Sequence, residues 1–200
     1  MANTGRAGFD AGFRGVSAGR RSLLRGAATG LLLGTALSPA LAAPIDLNGL
    51  PLNIAALTGS ASTSYVNNGA AAAQINILGP GNGTFFGNIG GGSGGPISLR
   101  KDGVGTQILA GASSFTGGTE LVAGTLRVNN SLALGTGALT VSGASTFGFN
   151  TAGLSIANAI VLNADLTVTA AGIGTLSGPI SGSGALIRNT NGIINITGGN

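Results

Sequence analysis

Gly105-Thr-Gln-Ile-Leu-Ala-Gly-Ala-Ser-Ser-Phe-Thr-Gly-Gly-Thr-Glu-Leu-Val-Ala-Gly-Thr-Leu-Arg-Val128 decides how this chain is read. Short runs such as Thr125-Leu-Arg-Val128 alternate apolar and polar residues, and glycines at 105, 111, 117, 118 and 124 break them up. A period of two places every second side chain on one face of a strand. Gly, Asn, Ser and Thr between the runs favour turns, through left-handed backbone or side-chain hydrogen bonds to the main chain. Strands this short bury no core as a hairpin. Stacked coils do, because each strand pairs with its equivalents about 4.8 Å above and below.

The same alternation continues downstream at Leu139 and Val141, Phe147 and Phe149, Leu166 and Val168, and Ile194 and Ile196. Thr125, Arg127, Thr140, Thr167, Asn195 and Thr197 fall on the opposite, solvent-facing side, and no helical apolar period is present in this region. Leu99-Arg-Lys101, Gly105, Leu109, Gly111 and Ser113 recur 87 residues later as Leu186-Ile-Arg188, Gly192, Ile196, Gly198 and Asn200. Four turns across that interval give about 22 residues per turn, within the range of solenoid repeats. A β-sandwich has no reason to repeat such a series at one fixed distance. The expected fold is all-β: a right-handed parallel β-helix over 96–200, with Leu126, Val128, Leu139, Val141, Leu166, Val168, Ile194 and Ile196 inside. Residues 43–200 would supply about seven coils and a rod roughly 35 Å long.

The quoted stretch resembles the autotransporter-associated β-strand repeat, or passenger-associated transport repeat, of Gram-negative surface proteins. Gly105, Gly111, Phe115, Gly117, Gly118, Thr119, Gly124, Leu126 and Val128 carry the resemblance, with Phe115 at a position usually held by Tyr and Ser113 at one usually held by Asn. Ser181-Gly-Ser-Gly184 is similar to the family's lead-in to a new repeat. The resemblance covers about 95–200. It implies a surface-displayed β-helix serving as stalk, adhesin or carrier, and an outer-membrane β-barrel translocator in the full-length protein. It names no receptor.

The net charge of +4 over 200 residues would suggest an anionic partner if the folded region carried it. Arg6, Arg14, Arg20, Arg21 and Arg25 against Asp10 account for all of it. From residue 43 on, Arg100, Lys101, Arg127 and Arg188 balance Asp46, Asp102, Glu120 and Asp165. No nucleic-acid partner is expected of a neutral region, since such binding needs several phosphate contacts. The sequence holds no Cys, His or Trp. That removes disulfides, the usual structural zinc sites, Cys and His nucleophile systems and the commonest general base.

The N-terminal residues have the order of a secretory signal: a basic segment, the apolar run Ala27–Leu37, then Ala40-Leu-Ala42 with small residues at −3 and −1. A signal peptide over 1–42 with cleavage between Ala42 and Ala43 is expected, and with it the export machinery as a partner. The apolar run is well short of the roughly 20 residues of a spanning helix. Arg20-Arg-Ser-Leu-Leu-Arg25 also resembles a twin-arginine motif, so the general secretory and twin-arginine routes both stay open.

Residues 43–95 contain strand-like runs at Ile45–Asn48, Leu52–Ala55 and Gln74–Leu78 and are expected to form a cap or irregular first coils. Gly90–Gly95 reads as a flexible corner or linker. Its Gly-x-Gly-x-x-Gly spacing lacks the following helix a dinucleotide site requires. Of the acids, only Asp102 and Glu120 are about one coil apart, which keeps a carbohydrate-active β-helix enzyme as an alternative. Ser98-Leu-Arg-Lys101 has the spacing of a Ser–Lys dyad but lies in a strand-like run. Of Phe85 and Phe86, at least one ring should pack inside. The sequons at Asn82, Asn129 and Asn195 are assigned no role.

These features point to a non-enzymatic exported module, without metal or cofactor, displayed at the cell surface or released outside the cell. The alternatives are a free periplasmic β-helix exported folded and the carbohydrate-active enzyme. The second repeat breaks off at Asn200, so continuation of the passenger beyond that point is also expected, along with poor solubility of an isolated 43–200 segment whose last coil is uncovered.

Overall fold

The computed structural model describes residues 31–33, 43–189 and 191–199. Twenty strands and no helix occur among them, and every strand pairing is parallel. The strands stack as a β-solenoid with three faces. The first face is one sheet of eight strands: Leu31–Leu33, Leu52–Ile54, Ala73–Ile77, Ile97–Lys101, Thr119–Leu121, Leu139–Val141, Ile160–Leu162 and Ile180–Gly182. The second has six: Gly83–Phe85, Thr106–Leu109, Thr125–Val128, Ser145–Phe149, Leu166–Ala170 and Leu186–Arg188. The third is two separate sheets, Ile45–Asp46, Ser64–Val66 and Asn88–Ile89, then Leu154–Ile156, Ile173–Leu176 and Ile193–Ile196. Parallel connections of this kind are right-handed in nearly all known cases.

The alternation predicted from sequence is what closes the core. On the first face, Leu121 stacks on Val141 and Val141 on Leu162, with outward Glu120, Thr140 and Val161 stacked in the same order. Leu126, Val128, Leu139, Val141, Leu166 and Val168 are all buried. Phe147 and Phe149 add an edge-to-face pair with ring centroids 5.4 Å apart, so they pack quadrupoles as well as area. Phe85 is buried against Tyr65 and Phe86 is exposed.

Two expectations need correction. Ile194 is only half-buried and Ile196 is 52% exposed, although Ile196 stands in register with the buried Leu176. An inward side chain in a stack is covered by the coils on both sides of it, and those of the last described coil are covered from one side only. The 87-residue recurrence is not a whole number of coils. Leu99 lies on the first face and Leu186 on the second; four coils on from Leu99, through Thr119, Leu139 and Ile160, stands Ile180. Steps along the first face run from 20 residues, as Lys101 to Leu121, to 24, as Ile77 to Lys101. All three faces use the same inward-apolar, outward-polar chemistry, so a one-face offset is invisible in the linear pattern.

Leu31–Leu33, inside the predicted leader, pairs on Leu52–Ile54. The other predicted leader residues from Met1 to Ala42 lie outside the described residues, as does Asn200. Gly90–Gly95 is a tight corner, with Gly90, Gly91 and Gly92 all at positive φ.

Candidate functional site

The quoted repeat coincides with a break in the third face. Its first sheet ends at Asn88–Ile89 and its second begins at Leu154–Ile156, and the two intervening coils cross that side as turns at 110–117 and 129–137. Two serines bridge the break. The Ile89 N–H donates to Ser113 Oγ at 3.1 Å, and the Ser155 N–H donates to Ser131 Oγ at 3.1 Å. Each hydroxyl satisfies a strand-edge donor that a neighbouring strand carbonyl would otherwise take. Beneath them Phe115 is buried, and its carbonyl accepts from the Thr136 N–H at 3.0 Å.

The other repeat positions are corners and core. Gly105, Gly111 and Gly117 sit where coils cross closely; at Gly111 a Cβ would lie inside the van der Waals shell of the Gly87 carbonyl oxygen. Gly118 and Gly124 hold φ of 80° and 73°, a region L side chains rarely adopt. Thr119 opens a first-face strand with its side chain buried, and Leu126 and Val128 are fully buried. These residues shape the coil. None of them gathers reactive groups.

The structure does bring Asp102 and Glu120 together, around Arg100. Arg100 contacts Asp102 at 2.5 Å and Glu120 at 3.2 Å, with each carboxylate about one-third exposed. Arg100 and Glu120 are register partners on adjacent coils. The outward row continues through Asn76, whose Nδ2 donates to Asn53 Oδ1 at 2.8 Å. One guanidinium thus holds the two acids that the enzyme alternative needs. Ser98 is outward-facing and Lys101 inward on the same strand, so they form no dyad.

Polar groups inside the stack are what sequence reasoning missed. Lys101 is fully buried between Ile77 and Leu121, its Nζ donating to the carbonyls of Gly103 and Ala123. Burial pushes its ammonium below the ordinary lysine value, and the nearby Asp102 carboxylate opposes that shift. Gln107 donates to and accepts from the Leu57 backbone at 2.9 Å in each direction. Asn67 Oδ1 accepts from Gly49 and Gly69 N–H, and its Nδ2 donates to Ala71 and Gly95 carbonyls, so one side chain ties three corners. Asn158 Nδ2 likewise donates to Gly135 and Gly137 carbonyls. A signal existed for two of them: Lys101 shares strand parity with Leu99, and Gln107 with Leu109.

Lys101 makes the stability pH-dependent in a definite direction. With the folded-state value lowered, the unfolded chain binds more protons at any pH between that value and 10.5, so stability rises with pH across this window. Tyr65, raised by burial, works the other way, its contribution falling from about pH 10 upward. Urea midpoints measured from pH 7 upward are expected to show a gain in wild type, relative to Lys101→Met, that grows with pH and levels off above the ordinary lysine value. A constant difference would remove the buried ammonium as its cause.

A family model described as passenger-associated-transport-repeat matches residues 99–128. Over 115 residues, half of this chain, the sequence is 34% identical to the adhesin BmaC autotransporter of Brucella suis biovar 1 (strain 1330). The chain spans about 3% of that relative's length. No solved structure matches. With the repeat matched where three-faced coils stack, the chain is a β-solenoid that carries a passenger-associated transport repeat at residues 99–128.

Proposed function

We propose that the chain is a non-enzymatic stretch of a surface-displayed passenger, exported with its leader removed between Ala42 and Ala43 and working as stalk, adhesin or carrier. The observation that carries this reading is the continuous parallel stack, which sets successive coils on one axis and turns its polar side chains outward. The likeness to an adhesin autotransporter supports surface display, and a β-barrel translocator in the full-length protein is part of the same proposal. The absence of His and Cys from the sequence and the engagement of Asp102 and Glu120 by Arg100 support a structural role over catalysis. Arg20-Arg-Ser-Leu-Leu-Arg25 favours a second reading, a periplasmic β-helix exported folded.

The test is protease treatment of intact Gram-negative cells expressing the full-length gene, followed with an antibody to residues 43–199. Degradation on intact cells and a mature N-terminus at Ala43 are expected. Protection until the outer membrane is permeabilised would favour the periplasmic reading. Hydrolysis of a polysaccharide by the chain that disappears in Asp102→Asn or Glu120→Gln would overturn the non-enzymatic part.

A further inference from the structure

The outward side chains of the first face form rows that cross the coils, and one row has a gap. Gln74 and Ser98 are register partners, and the next two positions in that row are Gly118 and Ala138. The adjacent row, two residues on, keeps long side chains through Asn76, Arg100, Glu120 and Thr140. With no side chain at Gly118 and only a methyl at Ala138, the row leaves a groove of about 300 Å³, walled by Gln74, Ser98, Thr116, Glu120 and Thr140. That is the small end of the range for ligand clefts.

We propose that this groove binds a neutral saccharide. The chemistry of its walls selects that class. They offer an amide, three hydroxyls and a carboxylate, a mixture of donors and acceptors suited to sugar hydroxyls. Among the described residues, the side chains of Gln74, Thr116 and Thr140 have no hydrogen-bond partner in the protein, so they meet a ligand without first breaking an internal bond. Anions are disfavoured: among the described residues the only cation beside the groove, Arg100, is already shared by two carboxylates, which leaves a local negative charge. Peptides are disfavoured because the groove supplies no large exposed apolar wall, its apolar lining being the buried Leu99 and the Ala138 methyl. Gly118 cannot acquire a side chain without strain at φ 80°, so the fold itself keeps the gap open.

The experiment titrates the whole chain with cellohexaose, maltohexaose and mannohexaose, using a heparin hexasaccharide as the anionic comparison, and follows ligand saturation-transfer signals by NMR. At least one neutral hexasaccharide should bind saturably. Gln74→Ala and Thr140→Ala should each weaken that binding by about five-fold, the effect of one lost hydrogen bond. Ala138→Phe should abolish it by filling the gap. All three positions face outward, so circular dichroism should report the wild-type fold; if Ala138→Phe alone loses it, the two alanine variants decide. The proposal is overturned if no neutral hexasaccharide binds, if the folded variants bind as wild type does, or if heparin binds more tightly. This outcome is independent of where the protein resides, so it stands or falls apart from surface display.

Discussion

Val141→Asp is expected to abolish the folded state, leaving no cooperative unfolding transition and no β-sheet circular dichroism. Val141 is fully buried, between Leu121 on one neighbouring coil and Leu162 on the other. The basic side chain in its row, Lys101, stands two coils away beyond Leu121, with its Nζ bound to the Gly103 and Ala123 carbonyls. A carboxylate at 141 thus has no adjacent basic partner and must either ionise in an apolar interior or protonate at the cost of its ordinary solvation. Either route costs about 5 kcal/mol or more. Domains of this kind have a total stability of about 5–15 kcal/mol. The effect also spreads. In a stack, each coil is stable largely through its interfaces with the next, so a disrupted coil removes support from both neighbours. Thr167→Asp is the matched comparison. Thr167 lies outward between Thr146 and Ile187, and there the same charge stays in water, so a change within about 1 kcal/mol is expected. Equal losses at both positions would mean that the inward–outward alternation does not govern stability.

Gly111→Val should be nearly as damaging, for a different reason. The backbone φ of Gly111 is not in the left-handed region, so conformational freedom is not what the position requires. What it requires is the absence of a Cβ, because the Gly87 backbone carbonyl of the coil below occupies that space. Relief would demand separating two coils whose spacing is set by the hydrogen bonds of their strands. A loss on the order of 3 kcal/mol or more is expected from thermal or urea unfolding. Gly81→Ala supplies the contrast. Its added Cβ would meet only the Ala56 Cβ, at 4.0 Å, and the substitution removes freedom from the unfolded chain, so it should be neutral or stabilising by about 0.4–1 kcal/mol. If both glycines tolerated substitution alike, close approach of coils at the repeat corners would not be the reason for glycine at Gly111.

The amino-acid sequence by itself determined the class of fold and the six inward positions Leu126, Val128, Leu139, Val141, Leu166 and Val168. These depend on period-two alternation and on glycine between strands, both local properties of the chain. It also marked the repeat at Gly105–Val128, which lies inside the 99–128 that the family model matches, because the glycine spacing there is carried in one contiguous run. The tertiary structure alone decided the phase of the coils. Leu186 falls on the second face and not above Leu99, since coils of 20 to 24 residues shift register without altering the local pattern. It alone brought Asp102 and Glu120 onto one arginine, set Gln74, Ser98, Gly118 and Ala138 in a single row, and placed the ammonium of Lys101 against corner carbonyls. Arg100 and Glu120, the members of that row, and Lys101 and Ala123 stand about one coil apart in sequence and meet only through stacking. The exposure of Ile196 has the same origin: alternation states which way a side chain points, whereas burial depends on a coil above it as well as one below.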